Sequence, residues 1–134
     1  MEQAPITETD PDQRVLRQWA QAVNVRDVET IISLSHPDID LHPMQIAVGA
    51  HYHGYDGIRA WIRDIIASEL GHYVRYLGIR TLPDGRVALF GEVCMDDVVV
   101  SPYTLVATVR DGKVAATRSY LATEETLRVL KLLR

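Results

Sequence analysis

Asp40 and His42 stand two positions apart in a stretch, Asp38 to Met44, where apolar and polar residues alternate. Such alternation is a strand signature, and residues i and i+2 of a strand share a face. A carboxylate beside an imidazole favours the imidazolium or fixes one neutral tautomer, which suits a general base working near neutral pH. The same pattern leaves a second outcome open. Ile39 and Leu41 form the apolar face of that strand, and if they meet the core, Asp40 and His42 meet water. Four of the five histidines, His36, His42, His51 and His53, fall in this neighbourhood. A His51-x-His53 pair in a strand can chelate a metal, but such sites need many strands around them and an acid at a set distance. His53 runs instead into Gly54 and a helix, so no metal site is expected and the loop histidines are read as solvated. The single cysteine, Cys94, has no histidine or basic neighbour in sequence to activate it as a nucleophile. There is no glycine-rich phosphate loop and no G-x-S-x-G spacing, and no cofactor is expected.

The 134 residues suffice for one domain with a core and are too few for two ordinary ones. At 47% apolar and 24% charged, the chain is not of a disordered class. Eighteen acids oppose fourteen bases for a net charge of −4. Glu2, Glu8, Asp10 and Asp12 precede the first base, Arg14, so the body beyond them is balanced. Without a basic stripe, neither nucleic acid nor an anionic membrane is expected as a partner. One cysteine excludes an intrachain disulfide and a Cys-rich zinc site and suits a reducing compartment. No apolar run approaches the ~20 residues of a membrane span, and the polar N-terminus does not read as a signal peptide. These features predict a soluble, cytoplasmic protein.

The candidate residues need elements to position them. Residues 1–10 read as a flexible tail and 11–134 as one domain. Asp10-Pro11 supplies an N-cap oxygen followed by proline at the first helical position, and Val15, Leu16, Trp19, Ala22 and Val23 form one stripe behind it. Asp27 opens a second, shorter helix that ends at His36-Pro37. After the alternating strand and a loop through Gly49 and Gly54, Asp56 opens a helix whose apolar residues run Ile58, Trp61, Ile62, Ile65, Ile66 and Leu70. Gly71 is its expected stop. The stripe position of Trp61 and Ile62 assigns them to packing. The period then switches to two over Tyr73–Leu82, Arg86–Met95, Tyr103–Arg110 and Val114–Leu121, with turns at Pro83-Asp84-Gly85 and Asp111-Gly112. In the second of these strands Val87, Leu89, Gly91, Val93 and Met95 share one face, while Phe90, Glu92 and Cys94 take the other. Thr123 begins a short closing helix. Helices followed by consecutive strands indicate an α+β fold with helices on one side of the sheet.

This order, the segment Tyr52-His53-Gly54-Tyr55-Asp56-Gly57-Ile58-Arg59-Ala60-Trp61 and the tail Asp111-Gly112-Lys113-Val114 to Ser119-Tyr120-Leu121 resemble the NTF2-like superfamily. Within it they look most like the SnoaL-like branch. The resemblance implies a cone: a strongly curved, mixed or antiparallel sheet with helices on its concave side, enclosing a pocket and often dimerising through the sheet. It also points His42 into that pocket. In the ketosteroid isomerase branch the general base is an aspartate before proline at the end of the first strand, and here the slot reads His42-Pro43. The positions of that branch's oxyanion donors fall on Trp19 and Leu105, and leucine cannot stabilise an enolate oxygen. A standard steroid-isomerase mechanism is therefore not expected.

Tyr103, Thr117, Ser119, Leu89, Val93 and Leu121 match pocket-lining positions of the superfamily, as do Trp19 and Leu105. Such a pocket suits a small hydrophobic molecule bearing one or two oxygens. The expected chemistry is cofactor-independent isomerisation, dehydration or ring closure of a carbonyl compound. In that scheme His42 takes the proton, Asp40 orients it and Tyr103 donates to the developing oxyanion. The alternative is a non-catalytic ligand-binding or assembly module. A homodimer through the mid-sheet residues Phe90, Glu92 and Tyr120 is expected in either case.

Overall fold

A computed structural model describes residues 10–43 and 51–121. The expected closing helix from Thr123 and most of the N-terminal tail lie outside them. Three helices, α1 (Pro11–Asn24), α2 (Val28–Ser33) and α3 (Gly54–Ser68), accompany six strands among the described residues. The strands are β1 (Ser35–His42), β2 (Tyr52–His53), β3 (Tyr73–Thr81), β4 (Val87–Met95), β5 (Val98–Arg110) and β6 (Lys113–Leu121). They form one curved, open sheet in the order β2-β1-β6-β5-β4-β3. All neighbours are antiparallel except β1 and β6, whose parallel pairing makes the sheet mixed.

The helix starts follow from their caps. Asp10 closes α1 by accepting the Asp12 amide at 2.9 Å, with Pro11 behind it. Asp27 closes α2 through the Thr30 amide at 3.2 Å and the Thr30 hydroxyl at 2.7 Å. The start of α3 lies at Gly54, two residues before Asp56, with His53 in extended backbone at the N-cap position and no side-chain capping bond. Its end comes at Ser68, where Glu69 turns left-handed at φ 56°, so the helix stops short of the glycine. Leu70 thereby leaves the helical stripe and stands 46% exposed.

Leu16 and Trp19 of α1 and Ile58, Trp61 and Ile62 of α3 pack on Ile39, Leu41, Val74, Leu89, Leu105 and Val114 of the sheet. Each fully buried aliphatic side chain contributes about 1.5–3 kcal/mol, so this face fixes which side of every strand looks inward. Leu82, Ala88 and Val106 form a smaller cluster with Phe90 and Tyr120 on the other face. Phe90, Glu92 and Cys94 stand opposite to Leu89 and Val93, as alternation along β4 requires.

Curvature has local causes. The β3–β4 register shifts between Tyr76 and Gly78, a bulge that bends the sheet. A Cβ at Gly91 would run into the Arg75 carbonyl oxygen, so only glycine lets these backbones approach. The β4–β5 hairpin begins earlier than alternation suggests. Asp96 and Asp97 both adopt positive φ, 49° and 66°, making a tight turn without glycine and extending β5 back to Val98.

Candidate functional site

Between the helices and the concave face lies a cavity of about 330 Å³. Its lining passes from buried side chains (Trp19, Trp61, Leu105) to exposed ones (Asp64, Leu70, Val100), so it runs from the core to the surface. Trp19 and Trp61 stack along one side with centroids 5.8 Å apart. Trp61 thus serves the core, as its helical spacing predicts, and the cavity wall as well.

Six of the sequence-nominated residues meet here: Trp19, Val93, Tyr103, Leu105, Thr117 and Ser119. Leu89 is fully buried beneath the wall and does not line it. The side chain of Leu121 lies outside the described residues. Trp19 uses its only N–H on Ser35 Oγ at 2.9 Å, and Ser35 in turn donates to the Ile31 carbonyl. Its indole is therefore a wall and not a free donor.

Asp40 and His42 do not line the cavity. The expectation that the opening strand points its histidine inward is corrected. Ile39 and Leu41 are fully buried, and strict alternation turns their neighbours to the outer face. There Asp40 Oδ1 accepts from His53 Nδ1 at 2.8 Å and His51 Nε2 at 3.0 Å, while His42 stacks on His51 at 4.6 Å. Asp40 therefore orients His51 and His53 and does not orient His42. The two hydrogen bonds, His53 first, hold the Asp40 carboxyl below its ordinary range. Partial burial, helped by Arg118 and His51, lowers His42, with Asp40 opposing. No group of three or more histidine, cysteine or acidic side chains among the described residues forms a metal cage.

Chemistry within the cavity centres on hydroxyls. Tyr103 Oη and Ser119 Oγ are 2.6 Å apart, and the Tyr76 ring meets Tyr103 edge-on at 6.3 Å. Burial pushes the Tyr103 phenol up to about 12 against the opposing pull of Ser119. Burial, then Tyr103, raises Tyr76 well above its ordinary range. Both phenols stay protonated near neutral pH, which makes them hydrogen-bond donors and not bases.

Among the polar wall residues that escaped the sequence reading are Asn24, Arg26, Asp64 and His72. Asn24 clips α1 to β3 by donating to the Val74 carbonyl at 2.7 Å and accepting the Val74 amide at 2.9 Å. Arg26 sits at φ 59° in the α1–α2 corner and donates to the carbonyls of His72 at 2.7 Å and Val23 at 3.0 Å. Asp64 reaches the cavity from α3, with Oδ2 taking the Tyr52 hydroxyl at 2.7 Å. His72 follows the glycine after α3, and its Nδ1 is buried without a partner. Burial, then the Arg26 charge, lowers its pKa. A fifth histidine beside Gly71, the glycine expected to stop the helix, was the one available signal. Asn24, Arg26 and His72 lie where chain periodicity is interrupted, so no phase told which way they face.

No helix among the described residues is long and apolar enough to cross a membrane. A family model described as the SnoaL-like domain matches residues 16–117. No curated protein matches the chain in sequence. Among solved structures, a protein from Sinorhizobium meliloti provisionally named a polyketide cyclase is 16% identical, with a TM-score of 0.66 over 80% of this chain and 94% of that one. One from Kribbella flavida provisionally named a ketosteroid isomerase is 17% identical, with a TM-score of 0.68 over 89% and 83%. An NTF2-like protein of unknown function from Burkholderia pseudomallei is 18% identical, with a TM-score of 0.68 over 90% and 97%. At these identities the likeness is one of fold.

Proposed function

The chain belongs to the SnoaL-like family of NTF2-like proteins, and on that premise we propose a cofactor-independent acid–base enzyme acting on a small hydrophobic carbonyl compound. The observation that carries this reading is the Tyr103–Ser119 hydroxyl pair, 2.6 Å apart in an apolar wall. Either hydroxyl can donate in this pair, and with Ser119 donating to Tyr103 Oη the phenolic proton is left for a ligand oxygen. In a dry site such a donor stabilises charge developing on a carbonyl oxygen far better than water does. The proton acceptor is Asp64, the one carboxylate on the described cavity wall. Tyr52 engages Oδ2, which leaves Oδ1 as the oxygen to take the proton.

Removal of a proton α to the carbonyl leaves an enolate held by Tyr103. Returning the proton elsewhere isomerises the compound, attack on a second carbonyl closes a ring, and expulsion of a β-hydroxyl as water dehydrates it. The base role expected of His42, with Asp40 orienting it, passes to Asp64, because those two residues do not line the cavity. Dimerisation through the outer face around Phe90 and Tyr120 is part of the proposal, since both sit against an apolar cluster there.

Deuterium exchange into a panel of hydrophobic ketones in D2O, followed by NMR, tests proton abstraction whatever the final product. Wild-type protein is expected to accelerate exchange, and Tyr103→Phe to lose about 10²–10³ of that acceleration. A chain that binds these ketones without exchanging them supports the second reading, a ligand-binding module. That reading is favoured by one observation: the two oxyanion-donor slots of the isomerase branch hold an indole already spent on Ser35 and an apolar Leu105.

A further inference from the structure

The geometry points to a carboxylate-bearing ligand whose anionic group is held by Arg26 and the Nε2–H of His72 at the cavity wall. This rests on the reading of the cavity as a ligand site and names the substrate class for it. The guanidinium of Arg26 is half-buried and lines the cavity. Its two hydrogen bonds go to backbone carbonyls, Val23 and His72, and no carboxylate among the described residues pairs with it. It retains N–H groups beyond those two. A cation drawn partly out of water without an anion is costly, and a planar fork of donors is the group that best matches a carboxylate.

His72 supplies the second donor. Its Nδ1 is buried without a partner. An orphaned N–H is the costlier occupant of such a place than an orphaned lone pair, so the ring proton sits on Nε2. Nε2 has no partner among the described residues, and of the two ring nitrogens only Nδ1 is buried without a partner there. Arg26 donates to the His72 carbonyl at 2.7 Å and both residues line the cavity, which sets the guanidinium beside this residue at one corner of the wall. The Asn24 amide is engaged at both ends with Val74, which fixes it as a clip between α1 and β3. Asp64, the wall's own carboxylate, comes from α3 and is turned toward Tyr52. A ligand of this class would place its charge at the α1–β3 corner and its apolar body along Trp19 and Trp61.

Calorimetric titration with cinnamate and with methyl cinnamate separates this inference from the cavity reading. The wild-type chain is expected to bind the acid about tenfold more tightly than the ester, the worth of one charge-assisted pair. Arg26→Gln should abolish that preference while ester binding persists. Bound cinnamate, but not its ester, should raise the titration midpoint of His72 seen by NMR. The first and last of these readings use the wild-type chain alone, so they decide the matter even if Arg26→Gln fails to fold. Equal affinity for acid and ester overturns the anion site and leaves the cavity standing, as does a preference that survives in Arg26→Gln. Binding of neither probe overturns both.

Discussion

Two polar clusters occupy opposite faces of one sheet, and they differ in who satisfies them. On the outer face Asp40, His51 and His53 hydrogen-bond one another, with side chains 46%, 47% and 58% exposed. Water screens the charges that remain, so this arrangement is worth little beyond holding β2 against β1. On the inner face Tyr103 is 8% exposed, and among the described residues Arg26 lacks a counter-charge and the Nδ1 of His72 lacks any partner. Unmet polar capacity in a low-dielectric place is what a ligand can complete. The histidine-rich cluster looks more like a site in the sequence, and the sparse one has the properties of a site in the structure.

The sharpest way to break this comparison is a pair of substitutions. Asp64→Asn is expected to lower ketone α-proton exchange by about 10²–10⁴, while His42→Gln leaves the rate unchanged. The reverse outcome in the D2O exchange assay would restore the outer cluster as the catalytic centre. Next in size, Asn24→Ala should cost about 1–3 kcal/mol in urea unfolding, since it leaves the Val74 amide and carbonyl unpaired at a half-buried clip. Asp40→Asn, by contrast, should cost less than about 1 kcal/mol because its partners are exposed. Equal costs for these two would erase the distinction between the faces.

The smallest effect is a pH dependence. His42 and His72 have folded-state pKa values below their unfolded ones. Their contribution is complete above the unfolded histidine value of about 6.5 and is lost as pH falls through the folded values. Asp40, also depressed, adds its loss only at more acidic pH, below the ordinary carboxylate range. Tyr103 runs the other way, its contribution fading as pH rises from about 10 toward 12. Urea midpoints measured from pH 7.5 down to 5 should therefore decline, and a midpoint that rises over that interval contradicts the burial of these two imidazoles.

Much of the fold was legible because caps and stripes are local. Asp10-Pro11 and Asp27 mark α1 and α2, and the even spacing of Val87, Leu89 and Val93 orients β4 correctly. The wall residues Val93, Tyr103, Thr117 and Ser119 were reached through resemblance combined with strand parity. What the chain did not reveal depends on contacts between distant segments. The bulge at Tyr76 and Gly78 resets parity in β3, and the Asp96-Asp97 turn lacks the glycine that usually announces a hairpin. His42 is the instructive miss. The family slot pointed it inward, but burying Ile39 and Leu41 is worth about 1.5–3 kcal/mol each, and alternation then sends it outward. Arg26 and His72 sit at joints between elements, where no period exists to read.

An NMR titration with methyl cinnamate, a neutral carbonyl probe, tests most directly which face takes the ligand. The account predicts that the indole signals of Trp19 and Trp61 and the imidazole of His72 shift together, while those of His42, His51 and His53 stay in place. Movement of the three outer histidines with both indoles unchanged would contradict it.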